Sequence, residues 1–404
     1  MKRTSSIIFG IVLVFGLGMK PEGVELFDSS QMHHIRFETD DSLIMVKMSA
    51  NHRAKKKKYL KVSMYLDGKK YSAVGIRQKG THSNSFAWTP KKPLKVDINE
   101  FEEGQSHMGI TKFNLANAFE DPSFLREVLS LYCLDELGLP APKASIASVH
   151  LNSSNLGVYI VIEQINSAFL QERFGESEGN VYEGNGGCFD HTEQVKDKFY
   201  ELKSNEEVND RSRLRCFIRL VNQAEDKVFT DSLNNYLNVS DFLKCMAFDY
   251  VAANTDTYIW GRCHNFYLYE KSNGQFEWIP WDYNLSFGYD LKYMKSTGLP
   301  PNLNHKGFKL LDRTLTNDKW KREFDGYCKD VIELLTSRKV GKFITGRHKL
   351  IESYVLADKK AFYPYDRFKN SVDGEGFSGG LNAHIPSIKG HIKDQKARLK
   401  EQLD

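Results

Sequence analysis

Apolar and polar positions alternate with a period of two through most of residues 24–120, which predicts a β-rich first part of the chain. Two such runs between Tyr59 and Gly80 meet at Asp67-Gly68, a hairpin signal. In Lys91-Lys92-Pro93-Leu94-Lys95-Val96-Asp97-Ile98 the alternation puts Leu94, Val96 and Ile98 on one face and Lys91, Lys95 and Asp97 on the other. The period then changes. Phe124, Leu125, Val128, Leu129, Tyr132 and Leu137 recur at helical spacing after an Asp121-Pro122-Ser123 start signal, and Gly138 and Pro140 end the helix. Strands are predicted again at Ser145–His150 and Gly157–Ile162, followed by a helix carrying Phe169, Leu170 and Phe174. Beyond it the helical period dominates, with segments at Asp241–Ala253, Phe308–Leu311, Phe324–Leu335 and Ile388–Leu403. One hairpin interrupts them, Phe266–Glu270 and Phe276–Trp281 around Ser272-Asn273-Gly274. Tyr363–Leu381, with four glycines, reads as a loop.

This order predicts an α+β protein with a two-lobed, protein-kinase-like fold: an antiparallel-sheet lobe over residues 23–165 and a mostly helical lobe over 166–404. The N-terminal 22 residues carry Lys2 and Arg3 before a short apolar run, Ile7 to Leu17. That pattern suits a secretory signal better than a spanning helix of about 20 apolar residues, with an uncleaved anchor as the other reading. A secreted, periplasmic or cell-surface location follows, without a membrane span once the signal is removed.

At 404 residues and 41% hydrophobic content the chain can bury a large core. A net charge of +4 does not point to nucleic acid as a partner. The one dense basic run, His52 to Lys58, reads as a solvated loop before a strand. Six cysteines are scattered with no CxxC pair, which argues against zinc; some can pair in an exported protein, and the sequence chooses no connectivity. Cys133 and Cys245 fall inside helical patterns as buried thiols.

Candidate chemistry concentrates between Asp249 and Asp290. Asp256 precedes the hairpin, Asn265 opens it and Asp282 follows it, a layout suited to a carboxylate base beside a hard-cation site. The same residues also suit turns and caps in an aromatic-rich meander. Upstream, Gly75-Ile76-Arg77-Gln78-Lys79-Gly80, read as a turn, offers backbone N–H groups and a cation to phosphate oxygens; read as an ordinary β-turn it offers neither. Lys95, with Lys91, is placed toward a cleft by the alternation, and Glu127 lies within reach of a lysine on the neighbouring sheet. The link near Glu163 falls between the two parts of the chain.

Taken in order, GIRQKG, KKPLKVDI, DPSFLREVLSLYCLDELGLPAP, GVYIVIEQINSAFLQERFG, NTD with HNFYLY, and IPWDYNLSFG resemble the CotH (spore coat protein H) kinase family, an atypical branch of protein-kinase-like enzymes. The resemblance implies ATP-dependent, magnesium-assisted (or manganese-assisted) transfer of the γ-phosphate to Ser or Thr of a surface or coat protein. It implies Asp256 as the carboxylate that orients or deprotonates the acceptor, and Asn265, Asp282 and Asn284 as metal ligands. It further implies that Lys95 contacts the phosphates and pairs with Glu127, that Lys91, Arg77, Gly75 and Gly80 complete the nucleotide site, and that backbone near Glu163 holds the adenine. Two features depart from the family pattern. The run TYIWGRCH lengthens the path from Asp256 to Asn265, and Asn284 stands where a second acidic residue is usual. A catalytically weak pseudokinase acting as a binding protein is therefore the alternative. A hydrolase using Asp256 and Asp282 as acid and base leaves Lys95 and the glycine-rich segment without a role. Substrate identity and oligomeric state stay open.

Overall fold

The computed structural model describes residues 25–85, 90–186, 188–189, 199–260, 263–288, 308–379 and 383–403. The secretory signal expected over residues 1–22 lies outside them, as do residues 289–307. Among the described residues no helix is long and apolar enough to cross a membrane.

The protein is α+β. Its first part holds β1 (Met32–Glu38), α1 (Ile44–Arg53), β2 (Leu60–Leu66), β3 (Lys69–Gln78), α2 (His82–Ser85), β4 (Leu94–Asp97), β5 (Lys112–Ala116), α3 (Arg126–Glu136), β6 (Ala144–Leu151) and β7 (Ser154–Glu163). The expected antiparallel sheet closes into a barrel in the order β1-β2-β3-β4-β5-β7-β6. Closure comes from β1, which pairs antiparallel to β2 and parallel to β6, a long-range partnership with no local sequence signal.

β7 joins the barrel to the rest of the molecule. Its continuous apolar run is the mark of a strand buried on both faces. Tyr159 and Val161 point into the barrel core with Val96, Phe113 and Val149. Val158, Ile160 and Ile162 pack outward into a second core shared with α3 and the helices that follow.

That second part contains α4 (Ser167–Phe174), β8 (Val181–Asn185), β9 (Tyr200–Leu202), α5 (Ser212–Gln223), α6 (Asp226–Ser232), α7 (Val239–Val251), β10 (His264–Glu270) and β11 (Phe276–Pro280). After these come α8 (Lys309–Leu315), α9 (Asp318–Thr336), α10 (Arg338–Ala357), α11 (Tyr365–Asn370), β12 (Phe377–Gly379), β13 (Ala383–Ile385) and α12 (Ile388–Leu403). The predicted β10–β11 hairpin forms and belongs to a four-stranded sheet, β11-β10-β8-β9. The segment expected as a loop from Tyr363 holds α11 and the β12–β13 ladder, because Phe368 is buried against the helical core and stacks on His348.

The helix signalled by Asp121-Pro122-Ser123 begins later, at Arg126. Asp121 accepts from the backbone N–H groups of Ser123 (2.8 Å) and Arg126 (2.9 Å), so it caps a loop that leads into α3. Cys188 and Cys263 form a disulfide, while Cys133, Cys245 and Cys328 are buried free thiols and Cys216 is a half-buried one.

Candidate active site

A cleft of about 410 Å³ lies between the outer wall of the barrel, α3 and the β10–β11 hairpin. Its barrel wall is apolar where Pro93, Ala116, Ile160 and Ile162 meet. Its floor is charged, with Lys79, Glu127, Asp256 and Asp282 gathered around it.

Each charged group is delivered by a different element. α7 ends at Val251, and the chain passes through Ala253 in a left-handed conformation before reaching Asp256. Asn265 Nδ2 donates to Asp256 twice, to the backbone carbonyl at 2.8 Å and to Oδ2 at 3.1 Å. His264 Nε2 donates to the other carboxylate oxygen, Oδ1, at 2.7 Å. Successive residues of a regular strand point to opposite faces. Here Asn265 sits at φ 62° in a bulge between His264 and Phe266, and that lets both side chains reach one carboxylate. The long run TYIWGRCH therefore does not separate Asp256 from Asn265. Tyr258–Trp260 form a short turn whose Tyr258 and Ile259 are buried in the core, and Cys263 is fastened to Cys188.

The backbone N–H of Trp281 donates to the Asn265 carbonyl at 3.2 Å, which sets Asp282 beside Asn265. Asp282 has φ 58°, another left-handed position for a residue with a Cβ, and such backbone clusters where side chains are aimed for a purpose. Arg126, wholly buried, donates to the carbonyls of Ser286, Phe287 and Pro386 and so holds the chain that follows Asp282. Its neighbour Glu127 enters the cleft from α3, where the Tyr283 N–H donates to its carboxylate.

The charges do not cancel. Burial and the nearby Asp282 charge hold the Glu127 carboxyl above its ordinary range, with Lys79 opposing. Burial and the Asp256 charge likewise raise Asp282, against Lys79 and His264. Lys79 is pushed below the usual lysine value by burial, although Asp282, Glu127 and Glu183 favour its charge. Its amine lies 5.3 Å from the centre of the Trp281 ring. One cation among several carboxylates leaves a site that added positive charge would relieve.

Those residues fit a hard divalent ion. Asp282 brings a charged oxygen, and the Asn265 amide, whose nitrogen is committed to Asp256, has its oxygen left to coordinate; Asn284 also lines the cleft. Among the described residues no three His, Cys, Asp or Glu side chains close around a metal, so this donor set is open and leaves positions for water and phosphate.

Several residues singled out by the sequence stand elsewhere. Gly75 is inside β3, paired with Asp97, so Gly75–Gly80 is not a phosphate-wrapping turn; Lys79 and Gly80, the latter at φ +73°, reach the cleft from its end. Lys91 is fully buried and bonded to Asp358 at 2.6 Å; it precedes β4 across Pro93, so the alternation of that strand does not reach it. Lys95 and Arg77 face each other on the outer barrel wall beside the cleft rather than lining it. Arg77 lies over the Tyr59 ring and donates to the Gln78 carbonyl. Lys95 lacks a close acid: burial and the charges of Lys79, Arg77 and Lys112 bring it down to about 7. The Glu163 carboxylate is taken up by the Lys143 N–H and by Arg173 at 3.0 Å.

Lys79 and His264 are the residues the sequence reading passed over. Lys79 directly follows the last residue of β3, Gln78, so the alternation through Arg77 carried one residue past the strand reaches it; the bulge that turns His264 inward has no such signal.

An α+β protein thus carries a lysine, several carboxylates and an amide side chain in the lining of one cleft. The chain belongs to the CotH kinase protein family, whose model matches residues 76–398. It is 26% identical to the inner spore coat protein H of Bacillus subtilis (strain 168), over 74% of this chain and 82% of that one. It is 23% identical to invasin CotH7 of Rhizopus delemar over 62% of this chain, and spans only 44% of that longer protein. Among solved structures, one listing the Shewanella oneidensis MR-1 toxin–antitoxin proteins HipA and HipB with operator DNA matches 69% of this chain and 60% of that one. Identity there is 12% and the TM-score 0.22, too slight a likeness to carry an argument.

Proposed function

We propose that the protein is an exported atypical protein kinase, in which barrel and helix-rich part act as two lobes around ATP and a divalent cation. The observation that carries this reading is the convergence of Asp256, Asn265, Asp282, Glu127 and Lys79 on one cleft with an apolar barrel wall. Ile160, Ile162 and Ala116 suit an adenine, and the charged floor suits its phosphates. Magnesium or manganese, held by Asp282, Asn265 and Asn284, would neutralise phosphate charge. Lys79 takes the phosphate-contacting role for which Lys95 and Lys91 were the sequence candidates, with Glu127 beside it. Lys95 and Arg77, one row away on the same wall, add positive potential.

Asp256 orients the acceptor Ser or Thr hydroxyl. As the new bond between acceptor oxygen and γ-phosphorus forms, the bond from that phosphorus to the β-phosphate oxygen breaks and ADP departs. The hydroxyl proton passes to Asp256. Its two hydrogen bonds from His264 and Asn265 fix the carboxylate for that encounter.

Asn284 favours a second reading, a nucleotide-binding pseudokinase of a surface or coat. Calorimetric titration with Mg-ATP, together with transfer of labelled phosphate to a Ser/Thr-rich protein, separates the two. Wild type should bind and transfer, Asp282→Ala should lose binding, and Asp256→Asn should bind without transfer. Transfer undiminished in Asp256→Asn would sink the assigned role, and binding without transfer by wild type would leave the pseudokinase.

A further inference from the structure

The transfer step leaves one buried acid without a task. α7 is buried along most of its length, with Phe242, Met246 and Val251 wholly covered, and Asp249 lies among them at 1% exposure. An acid in such surroundings costs stability unless its bonds are made, and an apolar residue fills such a position at less cost. The Asp249 carboxyl is hydrogen-bonded to the hydroxyls of Tyr283 and Thr257, both buried as well. Thr257 follows Asp256 in the chain, and Tyr283 follows Asp282. One side chain therefore bridges the segment that carries the assigned base and the segment that carries the metal-ligand acid, one residue from each.

These two segments need holding. Asp256 and Asp282 repel each other: besides burial, the Asp256 charge raises the Asp282 carboxyl. Ala253, Asp282 and Phe287 take left-handed backbone, at φ 46°, 58° and 61°, and such residues persist where their surroundings fix them. Backbone does part of this, since the Phe287 N–H donates to the Ala252 carbonyl at 2.5 Å and the Gly288 N–H to that of Ala253 at 3.3 Å. His391 of α12 lies against the same segments, its Nε2 3.4 Å from the Val251 carbonyl and its ring edge-to-face with Phe287. Those links sit farther along the chain from the two acids; the Asp249 bridge sits beside them. Each arm of the bridge is held at a second point. Cys245, one turn earlier on α7, lies 3.3 Å from the Tyr283 hydroxyl, and the Thr257 hydroxyl donates to the Asn254 carbonyl at 3.2 Å. Burial brings the Asp249 carboxyl up to about 7, so below neutral pH it keeps its proton and can donate as well as accept.

We propose that Asp249 is a positioning residue, whose bridge from Thr257 to Tyr283 holds Asp256 and Asp282 in one mutual arrangement before nucleotide and cation arrive. What that arrangement serves rests on the kinase reading, while the bridge itself is a property of the fold. Acids fixed in advance against their own repulsion need not reorganise when the cation binds, and that is how a residue remote from the ligand acts on rate.

Variants of the full chain test this by amide hydrogen exchange, thermal unfolding and transfer of labelled phosphate from Mg-ATP to a Ser/Thr-rich protein. Asp249→Leu removes both arms and should lower kcat about a hundred-fold, with the unfolding midpoint unchanged or raised. Asp249→Asn keeps an acceptor for the Tyr283 hydroxyl and a donor for the Thr257 oxygen, and should hold kcat within about three-fold of wild type. Thr257→Val and Tyr283→Phe each cut one arm and carry the test if Asp249→Leu does not fold. Each should speed exchange about five-fold in the opposite segment, residues 283–288 for Thr257→Val and 254–257 for Tyr283→Phe. A residue that merely stabilises the fold would lower the midpoint and leave kcat of the folded protein as it was. That result overturns the proposal. So does Asp249→Asn as impaired as Asp249→Leu, or exchange that quickens only in the segment whose own arm is cut. Coupled exchange in a wild type that transfers no phosphate leaves the bridge standing and removes the kinase reading. Uncoupled exchange in a wild type that does transfer does the reverse.

Discussion

Lys91 and Lys79 sit on the same barrel twelve residues apart, each among carboxylates, and their environments are opposite. Lys91 is fully buried against one acid, Asp358, which closes on it at 2.6 Å and also accepts from the Val158 N–H at 3.0 Å. The Phe124 and Tyr159 rings cover the ammonium group at 4.8 and 5.3 Å. Every charge there has its partner. Lys79 stands beside Glu127 and Asp282 without a close ion pair to either, and those acids repel one another. The first arrangement fastens the chain after α10 to the barrel; the second is poised for an incoming ligand. A lysine's role is set by whether its countercharge is complete.

The comparison breaks most visibly at the matched pair. Lys91→Met leaves the Asp358 carboxylate buried and alone, and should destabilise the protein by about 3–5 kcal/mol in denaturant unfolding. Asp358→Ala should cost about as much by the same reasoning, whereas Lys91→Met with Asp358→Leu should recover a large part. Loss no greater than that of an exposed lysine would show the pair is not what holds the chain there.

Lys79→Met should do the reverse, with the thermal midpoint unchanged or raised and phosphate transfer lowered by about 10²-fold or more. A large fall in the midpoint would place Lys79 with Lys91. For Glu127 the sign is set by its raised value: stabilisation from the protonated carboxyl is present below the unfolded value and lost as pH rises through the folded one. Glu127→Gln should therefore gain on wild type as pH climbs from about 5 to 9, read as the difference in unfolding midpoint.

Lys95 should give the smallest effect. Between its folded value near 7 and its unfolded value the unfolded state holds the extra proton, so wild-type stability rises with pH across that window. The advantage of Lys95→Met should then be greatest below pH 7 and fade toward alkaline pH. Bound ATP should also slow acylation of Lys95 at pH 8 by restoring its proton. Unchanged reactivity, by peptide mapping, would detach Lys95 from the phosphate site.

The sequence carried the element order well because that order is local. The Asp67-Gly68 hairpin, the α7 and α12 periods and the apolar run of β7 each depend on neighbours a few residues away. Asp256, Asn265, Asp282 and Glu127 were legible too, since each falls at the end or start of a recognisable element. Barrel closure through β1 and β6 was not, because that pairing joins residues more than a hundred positions apart. The partner of Lys91 lies 267 residues away, and nothing near Lys91 announces it.

By itself, then, the chain determined most of the element order, though not the helix and strand within Tyr363–Leu381, together with its family and the acids that are candidates for chemistry. Tertiary structure alone decided which lysine faces those acids, which one is neutralised in the core, and that His264 turns toward Asp256. The reason is physical: periodicity and turn chemistry act over a few residues, while charge compensation depends on distance in space. A left-handed residue such as Asn265 can reverse the facing that periodicity predicts.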